Sequence, residues 1–341
     1  MNAFSEHDGA ASSSALLHDT GPGNSKAASF RPLVARFEAA FAVKRIVWRT
    51  AQLREAGFGD RAIRRLLEQG ILARLRYGCY VRAAWWNGLS LDARRLNRVL
   101  LHAFATLTSS ATGFVYSHTS AAILHGLFLW NVDDFIHITQ PKKPSSIGAG
   151  PDTRIHRSPL DDEDIVVIRR LRVTSLLRTV IDCALTLPYR QALIIADHAL
   201  RMGVSLPTLM AAADRLSSHR GIRTLRKVLL NADPRSESPG ETLTRDLMRK
   251  LLIEPPTPQV WIATRVGRHR VDFAWIAKRV VLEFDGKGKY FNYRPTDEAL
   301  FQERKRETAL IEAGWTLIRV QWKDLFNEAG FKLRILAALA K

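Results

Sequence analysis

The 341-residue chain holds only two cysteines, Cys79 and Cys183. That scarcity rules out a disulfide scaffold and a site built from several thiolates. A reducing cytoplasm is the expected location. No stretch reaches the roughly 18 uninterrupted apolar residues of a spanning helix, so no membrane partner is expected. The opening segment, MNAFSEHDGAASSSALLHDTGPGNSKAAS, lacks a basic start followed by an apolar run, so it does not read as a secretory signal. No internal repeat stands out. His118, His125, His137, His156 and His198 show no HxxxH or HExxH spacing, and His118 and His125 lie seven apart. Capping or core hydrogen bonding is therefore expected of them rather than metal binding.

What the chain does have is an ordinary globular balance, 46% hydrophobic and 25% charged, which excludes a wholly disordered protein. At roughly 150 residues per domain, its length suggests two or three domains. Basic charge is in excess: 51 Lys and Arg against 33 Asp and Glu, a net of +18. The excess is densest over residues 30–85, with 12 basic and 4 acidic side chains. Such a field attracts polyanions, and DNA is the first candidate partner. Biased composition in a soluble arginine-rich protein gives the same totals. Residues 1–29 read as a disordered tail, 30–85 as a small basic unit, 86–230 as a longer mixed unit, 231–240 (NADPRSESPG) as a turn-forming linker, and 241–341 as the last unit.

In the basic unit, Phe41–Ala56 and Asp60–Gln69 read as two helices around Gly57-Phe58-Gly59, with Asp60 as N-cap and Gly70 as the stop. Ile63, Leu66 and Leu67 share one face, which leaves Arg61, Arg64 and Arg65 on the other. An arginine-fronted helix after a short glycine turn suits a recognition helix. The following ILARLRYGCYV reads as a hairpin wing turning at Tyr77-Gly78 and bringing Arg74 and Arg76 to phosphates. The pattern predicts a winged helix-turn-helix, although an ordinary solvated helix and hairpin would share it. The stretch Gln52–Val81, with YSHTSAAILHGL at 116–127, resembles the N-terminal half of abortive-infection-type antitoxins of type IV toxin–antitoxin pairs. That resemblance implies DNA binding and a possible toxin partner, without implying catalysis.

The middle unit reads as mixed α/β. Ser90–Thr108 is helical in pattern, Thr119 can cap a short helix through His125, FIHIT and IVVI are β-rich, and Ser175–Ala184 and Tyr189–Met202 read as amphipathic helices. Its expected role is that of a scaffold or partner-binding region.

In the last unit, SPGE opens a helix to about Leu252, where Ser238 and Glu241 fit a capping box. RHRVDFAW and VVLEFDG read as strands around Ile276–Arg279. If Ala277 and Lys278 form the turn, Asp272 lies directly opposite Glu283. Asp285 joins that face, while Val271, Phe273, Leu282 and Phe284 take the other. Two like charges about 5 Å apart destabilise a hairpin unless something compensates. A divalent cation would compensate, and oxygen ligands suit magnesium. Lys287 and Lys305 are candidate ammonium groups, and Gln302 and Arg306 could face the same place. The same carboxylates also suit a surface acidic patch balanced by Arg268, Arg270 and Lys287. Trp315–Gln321 is expected to supply a further strand.

SPGE, RVDFAW, VLEFDGKGKY and ERKRETALIEAGWTLIRV, taken in order over about residues 238–327, resemble PD-(D/E)xK nuclease-fold domains similar to very-short-patch-repair endonucleases. The resemblance implies a sheet flanked by helices, Mg2+ as cofactor, and Glu241, Asp272, Glu283, Asp285 and Lys287 as catalytic residues, with Asp272 and Glu283 on the metal. In the general pattern a lysine follows two residues after the third acid; here that position is Asp285, and Lys287 is displaced by two. The expected fold is thus an α/β multidomain protein: a winged helix-turn-helix, a mixed α/β middle and a PD-(D/E)xK-like sheet flanked by helices. The expected function is magnesium-dependent endonuclease activity. Alternatives are a non-catalytic DNA-binding antitoxin or transcriptional regulator, and a nuclease acting on RNA.

Overall fold

A computed structural model describes residues 31–41, 46–106, 113–140, 150–216, 219–286 and 297–341. The expected tail at 1–29 and the candidate Lys287 lie outside the described residues. The architecture is mixed α/β with three separate sheets. No helix among the described residues is long and apolar enough to cross a membrane.

The front unit comprises α1 (Arg31–Phe41), β1 (Val47–Arg49), α2 (Thr50–Glu55), α3 (Asp60–Glu68), β2 (Leu72–Arg76) and β3 (Cys79–Arg82). Its sheet runs β1-β3-β2. The helix expected over Phe41–Ala56 is instead a strand followed by a short helix. Val47 and Trp48 are β-branched and aromatic, and they pair with Val81 and Tyr80. Gly57, at φ +83, then lets Phe58 turn back into the core. That core is Phe37, Trp48, Leu53, Phe58, Ile63, Leu66, Leu72 and Tyr80, with Leu67 packed at its edge. The N-cap of α3 is Gly59, not Asp60. Asp60 is the first helical residue and forms a two-pronged pair with Arg54.

The middle unit begins with α4 (Ala83–Gly88) and α5 (Leu91–Thr106). It continues through β4 (Val115–Tyr116), α6 (His118–Leu124), β5 (Ile136–Gln140), β6 (Thr153–Arg157), β7 (Ile165–Ile168) and β8 (Leu171–Thr174). The five strands run β6-β5-β4-β8-β7, which makes β6 an edge. The cap of α6 is Ser117 rather than Thr119. Four helices follow: α7 (Leu176–Thr186), α8 (Tyr189–Arg201), α9 (Leu206–Arg215) and α10 (Ile222–Asn231). They enclose a mainly aliphatic core around Val180, Leu193, Ile195, Leu209 and Leu225. Cys183 is buried there, and Cys79 is buried in the front unit; both are free thiols.

The last unit comprises α11 (Pro239–Lys250), β9 (Thr257–Thr264), β10 (Gly267–Trp275), β11 (Val280–Asp285), α12 (Asp297–Glu312), β12 (Thr316–Gln321) and α13 (Glu328–Leu339). The sheet order is β12-β11-β10-β9, with β11–β12 parallel and the other pairs antiparallel. One face packs Phe273, Trp275, Val280 and Leu282 on Leu243 and Leu247 of α11 and Ile335 of α13. The other packs Ala274 and Val281 on Leu310 of α12. Val271 belongs to this second layer, not with Phe273 as strict alternation requires. Across from the skipped position, Gln259 of β9 takes φ +56, so the local backbone departs from ideal strand geometry.

Residues 231–240 are not a loose connection. Asp233 accepts from its own chain at Arg235 and donates its amide to Asp197 of α8. Asp197 also accepts from Thr242 and Arg245 of α11, at 2.7 and 2.6 Å. Ile194 of α8 is buried in the apolar core of the last unit.

Candidate functional site

The hairpin register agrees with a turn centred on Ala277-Lys278. Phe273 pairs with Leu282, Ala274 with Val281 and Trp275 with Val280. The turn itself is wider than two residues, a 3-10 turn over Ile276–Lys278 closed by Arg279 at φ +51. Strand pairing ends at Phe273–Leu282, where Asp272 and Glu283 would come next. Beyond it, the freed amide of Phe284 donates to Asp272 Oδ2 at 2.8 Å. The carboxylate thus replaces a ladder hydrogen bond at the point where the two strands part.

Glu241 arrives from the first turn of α11. Ser238 Oγ accepts the Glu241 amide at 3.2 Å, which is half of a capping box. The reciprocal half is absent: Glu241 Oε2 accepts from the Glu237 amide and from Gln259 Nε2, both at 2.9 Å. The preceding Gly240 is required by packing, because a Cβ there would stand 1.9 Å from Cε1 of Phe284. Close approach of the helix start to β11 is what brings Glu241 to the strand acids.

All three carboxyls are held above their ordinary range. Burial pushes Glu241 up to about 7, and the nearby Asp272 adds to it. Burial also raises Asp272, against the pull of the Phe284 amide and Arg306. Glu283 is raised by burial and opposed by Arg306, with Asp272 pushing the other way. Asp272 is the carboxylate that the other two share as a neighbour, raising both Glu241 and Glu283.

Of the helix residues expected near this group, Arg306 is the one that reaches it. Its guanidinium bonds Glu283 Oε1 and the Arg270 carbonyl. Lys305 points outward and exposed, and Gln302 is spent on Glu298. Arg319 of β12 adds positive charge at Glu283 while pairing with Glu303 and Glu307. Asp285 is half-buried and in register with Gln321. Asp272 and Glu283 are half-buried hard-oxygen donors, a type that suits Mg2+ held by two carboxylates and water, with Glu283 paired here to Arg306. The three acids do not form a closed group of three ligands; among the described residues only His118, His137 and His156 do.

On the front unit, Arg61 and Arg64 are exposed on α3 and Arg65 is half-buried. Arg74 is exposed on β2, and Tyr77 stands 91% exposed at the hairpin tip. Arg76 departs from expectation. The β2–β3 register shifts between Arg74 and Arg76, placing Leu75 as an extra residue. The bulge turns Arg76 inward, where it is largely buried and 3.7 Å from Asp152. It therefore faces the middle unit and is not available to a phosphate on the hairpin's outer surface.

Three histidines of the middle unit make core hydrogen bonds, as expected, and also converge on one place, which their spacing does not signal. His118 opens α6 at φ +51, His137 lies on β5 and His156 on the neighbouring edge strand β6. One nitrogen from each ring lies within 4.8 Å of the others. Burial lowers all three, His118 to about 2 and His156 to about 4, so the rings are neutral. His125 and His198 do behave as single core hydrogen bonders, to the Thr174 carbonyl and the Phe128 amide. The sequence signal for the convergence lies in IHIT and RIHR, where a histidine interrupts a β-branched strand pattern. Linear spacing misses it because β5 and β6 meet as a parallel pair, a contact that local spacing does not encode.

No family model matches the chain, and no curated protein matches it. Among solved structures it is similar to the crystal structure of the RV2827C protein from Mycobacterium tuberculosis. The identity is 18%, covering 58% of this chain and 76% of that one, with a TM-score of 0.39. A likeness at this level carries no argument about function.

Proposed function

We propose that the protein binds DNA through the front unit, read as a winged helix, and cleaves phosphodiester bonds at a PD-(D/E)xK-type site on its last sheet. The observation that carries this reading is the set of three carboxyls where β10 and β11 part, Glu241 buried and Asp272 and Glu283 half-buried, each raised by burial. Asp272 and Glu283 would hold magnesium. That ion supplies charge neutralisation and an activated water. Arg306, now on Glu283, is placed to exchange that partner for a substrate phosphate. Glu241, with its carboxyl at about 7, is suited to take or return a proton near neutrality. Arg61, Arg64 and Arg74 would contact the backbone of the duplex.

The test is incubation of supercoiled plasmid and short duplexes with the purified chain and Mg2+ or Mn2+. The expected outcome is nicking or cleavage that Asp272→Ala and Glu283→Ala abolish. Intact DNA in every form would leave the second reading, a DNA-binding regulator of the antitoxin kind with an inactive carboxylate site. Two observations favour that alternative: Arg306 already pairs with Glu283, and Asp285 occupies the position where the pattern has lysine. It expects metal-independent DNA binding weakened by Arg64→Ala and Arg65→Ala, and it would give the toxin partner a place.

A further inference from the structure

We infer that His118, His137 and His156 form a three-nitrogen site for one divalent transition metal ion of the zinc class, separate from the carboxylate cluster. Three imidazoles from three different elements meet in one place, and two of them are almost fully buried. The hydrogen bonds around them turn one nitrogen of each anchored ring inward, toward the other rings. His137 Nε2 is 3.1 Å from Asp133 Oδ1, which selects the Nε2–H form and leaves Nδ1 as the lone-pair nitrogen. That Nδ1 faces His156 Nε2 at 2.8 Å. His118 Nδ1 is 2.9 Å from Ser117 Oγ, which in turn accepts from Thr139 at 2.8 Å. Nε2 of His118 is thereby the nitrogen left for a ligand.

Carboxylate and hydroxyl partners on the outer nitrogens are what orient histidine ligands toward a metal. A core role gives each ring its own partner, as His125 and His198 have. Here two rings spend nitrogens on each other, and His118 and His156 stack with centroids 3.5 Å apart. Coordination requires those two rings to swing apart so that their lone pairs converge. His156, half-buried on the edge strand, is the ring with room to move. The arginines whose charges reach the cluster do not oppose a cation strongly. Arg154 pairs with Asp133, and Arg178 with Asp164 and Asp182. Three neutral nitrogens select zinc or a similar borderline ion over magnesium, and a fourth position is left for water.

The test uses the full-length, untagged chain stripped of metal and titrated with Zn2+ against a chromophoric chelator. Co2+ serves as a spectroscopic probe that needs no variant. The expected result is one ion per chain, visible d–d bands for Co2+, and a zinc absorption spectrum with nitrogen neighbours at about 2.0–2.1 Å. His156→Ala and His137→Ala, checked for folding by circular dichroism, should lose binding by 100-fold or more. Asp133→Asn should weaken it about 10- to 100-fold. The Asp272→Asn, Glu283→Gln double variant should bind zinc as the parent does. Failure of the parent to take up an equivalent of zinc, or wild-type affinity in both histidine variants, overturns the site. So does an oxygen-only shell in the absorption spectrum.

Discussion

Glu241 is the residue at which the carboxylate cluster has a measurable pH signature. Its folded-state value of about 7 stands above the ordinary 4.5 because burial, and then Asp272, disfavour its charge. The folded state therefore holds this proton more tightly than the unfolded state. Stability is highest below about pH 4.5 as far as this group is concerned, and it falls as pH rises to about 7. Glu241→Gln removes the penalty. It should raise stability at pH 8 by on the order of 3 kcal/mol at most, and the gain should vanish near pH 4. Thermal melts of both proteins at the two pH values check this; an equal gain at both would assign it to packing. Magnesium should raise the melting temperature of the parent at pH 8 and not that of the Asp272→Asn, Glu283→Gln double variant. At this scale the sequence was informative where residues are close in the chain. Asp272 and Glu283 sit on one hairpin, so turn arithmetic alone could bring them together. Glu241 reached them only through the motif resemblance, since nothing in its local pattern fixes the contact between Gly240 and Phe284. The convergence of the three histidines was not legible, because it is set by sheet order, which no spacing rule encodes.

Among the elements, β2 shows how one extra residue redirects a side chain. Alternation placed Arg74 and Arg76 together on the outer face, but the bulge at Leu75 sends Arg76 to Asp152. The two arginines should therefore separate in a binding assay. Arg74→Ala is expected to weaken DNA binding and to lower the salt dependence by about one phosphate contact, a slope change near 0.9. Arg76→Ala should leave that slope unchanged and reduce thermal stability instead. Equal slope changes for both would mean that the hairpin faces DNA in another way. Element type was legible where periodicity was long, as in α5, α7 and α8. It failed at β1, a three-residue strand whose identity comes from its partner Val81-Tyr80 rather than from its own length. It gave no signal at β9, whose Pro258 and exposed Trp261 obscure the alternation.

For the molecule as a whole, composition marks residues 231–240 as a turn-forming connection, and the hydrogen bonds show that it also packs on its neighbours. Asp197 of α8 gathers the Asp233 amide, Thr242 and Arg245 into one buried network. Aromatic contacts extend the same junction, with Trp130 stacked over Trp322 at 6.1 Å. A fragment starting at residue 231 would expose this surface and leave Arg245 without its acid. Such a fragment should be poorly folded by circular dichroism, while one that begins before α7 should retain native helix signal. A cooperative, soluble 231–341 fragment would show the junction to be dispensable. The polar composition of the segment is real, but its side chains serve neighbours that are distant in sequence.

The position of Ile194 carries this further. A residue from α8 completes the apolar interior of the last sheet, so that interior loses a member when α8 opens. Heating should accordingly melt both regions in one calorimetric event. Ile194→Ala, at a cost of about 2–5 kcal/mol, should move that whole event to lower temperature without splitting it in two.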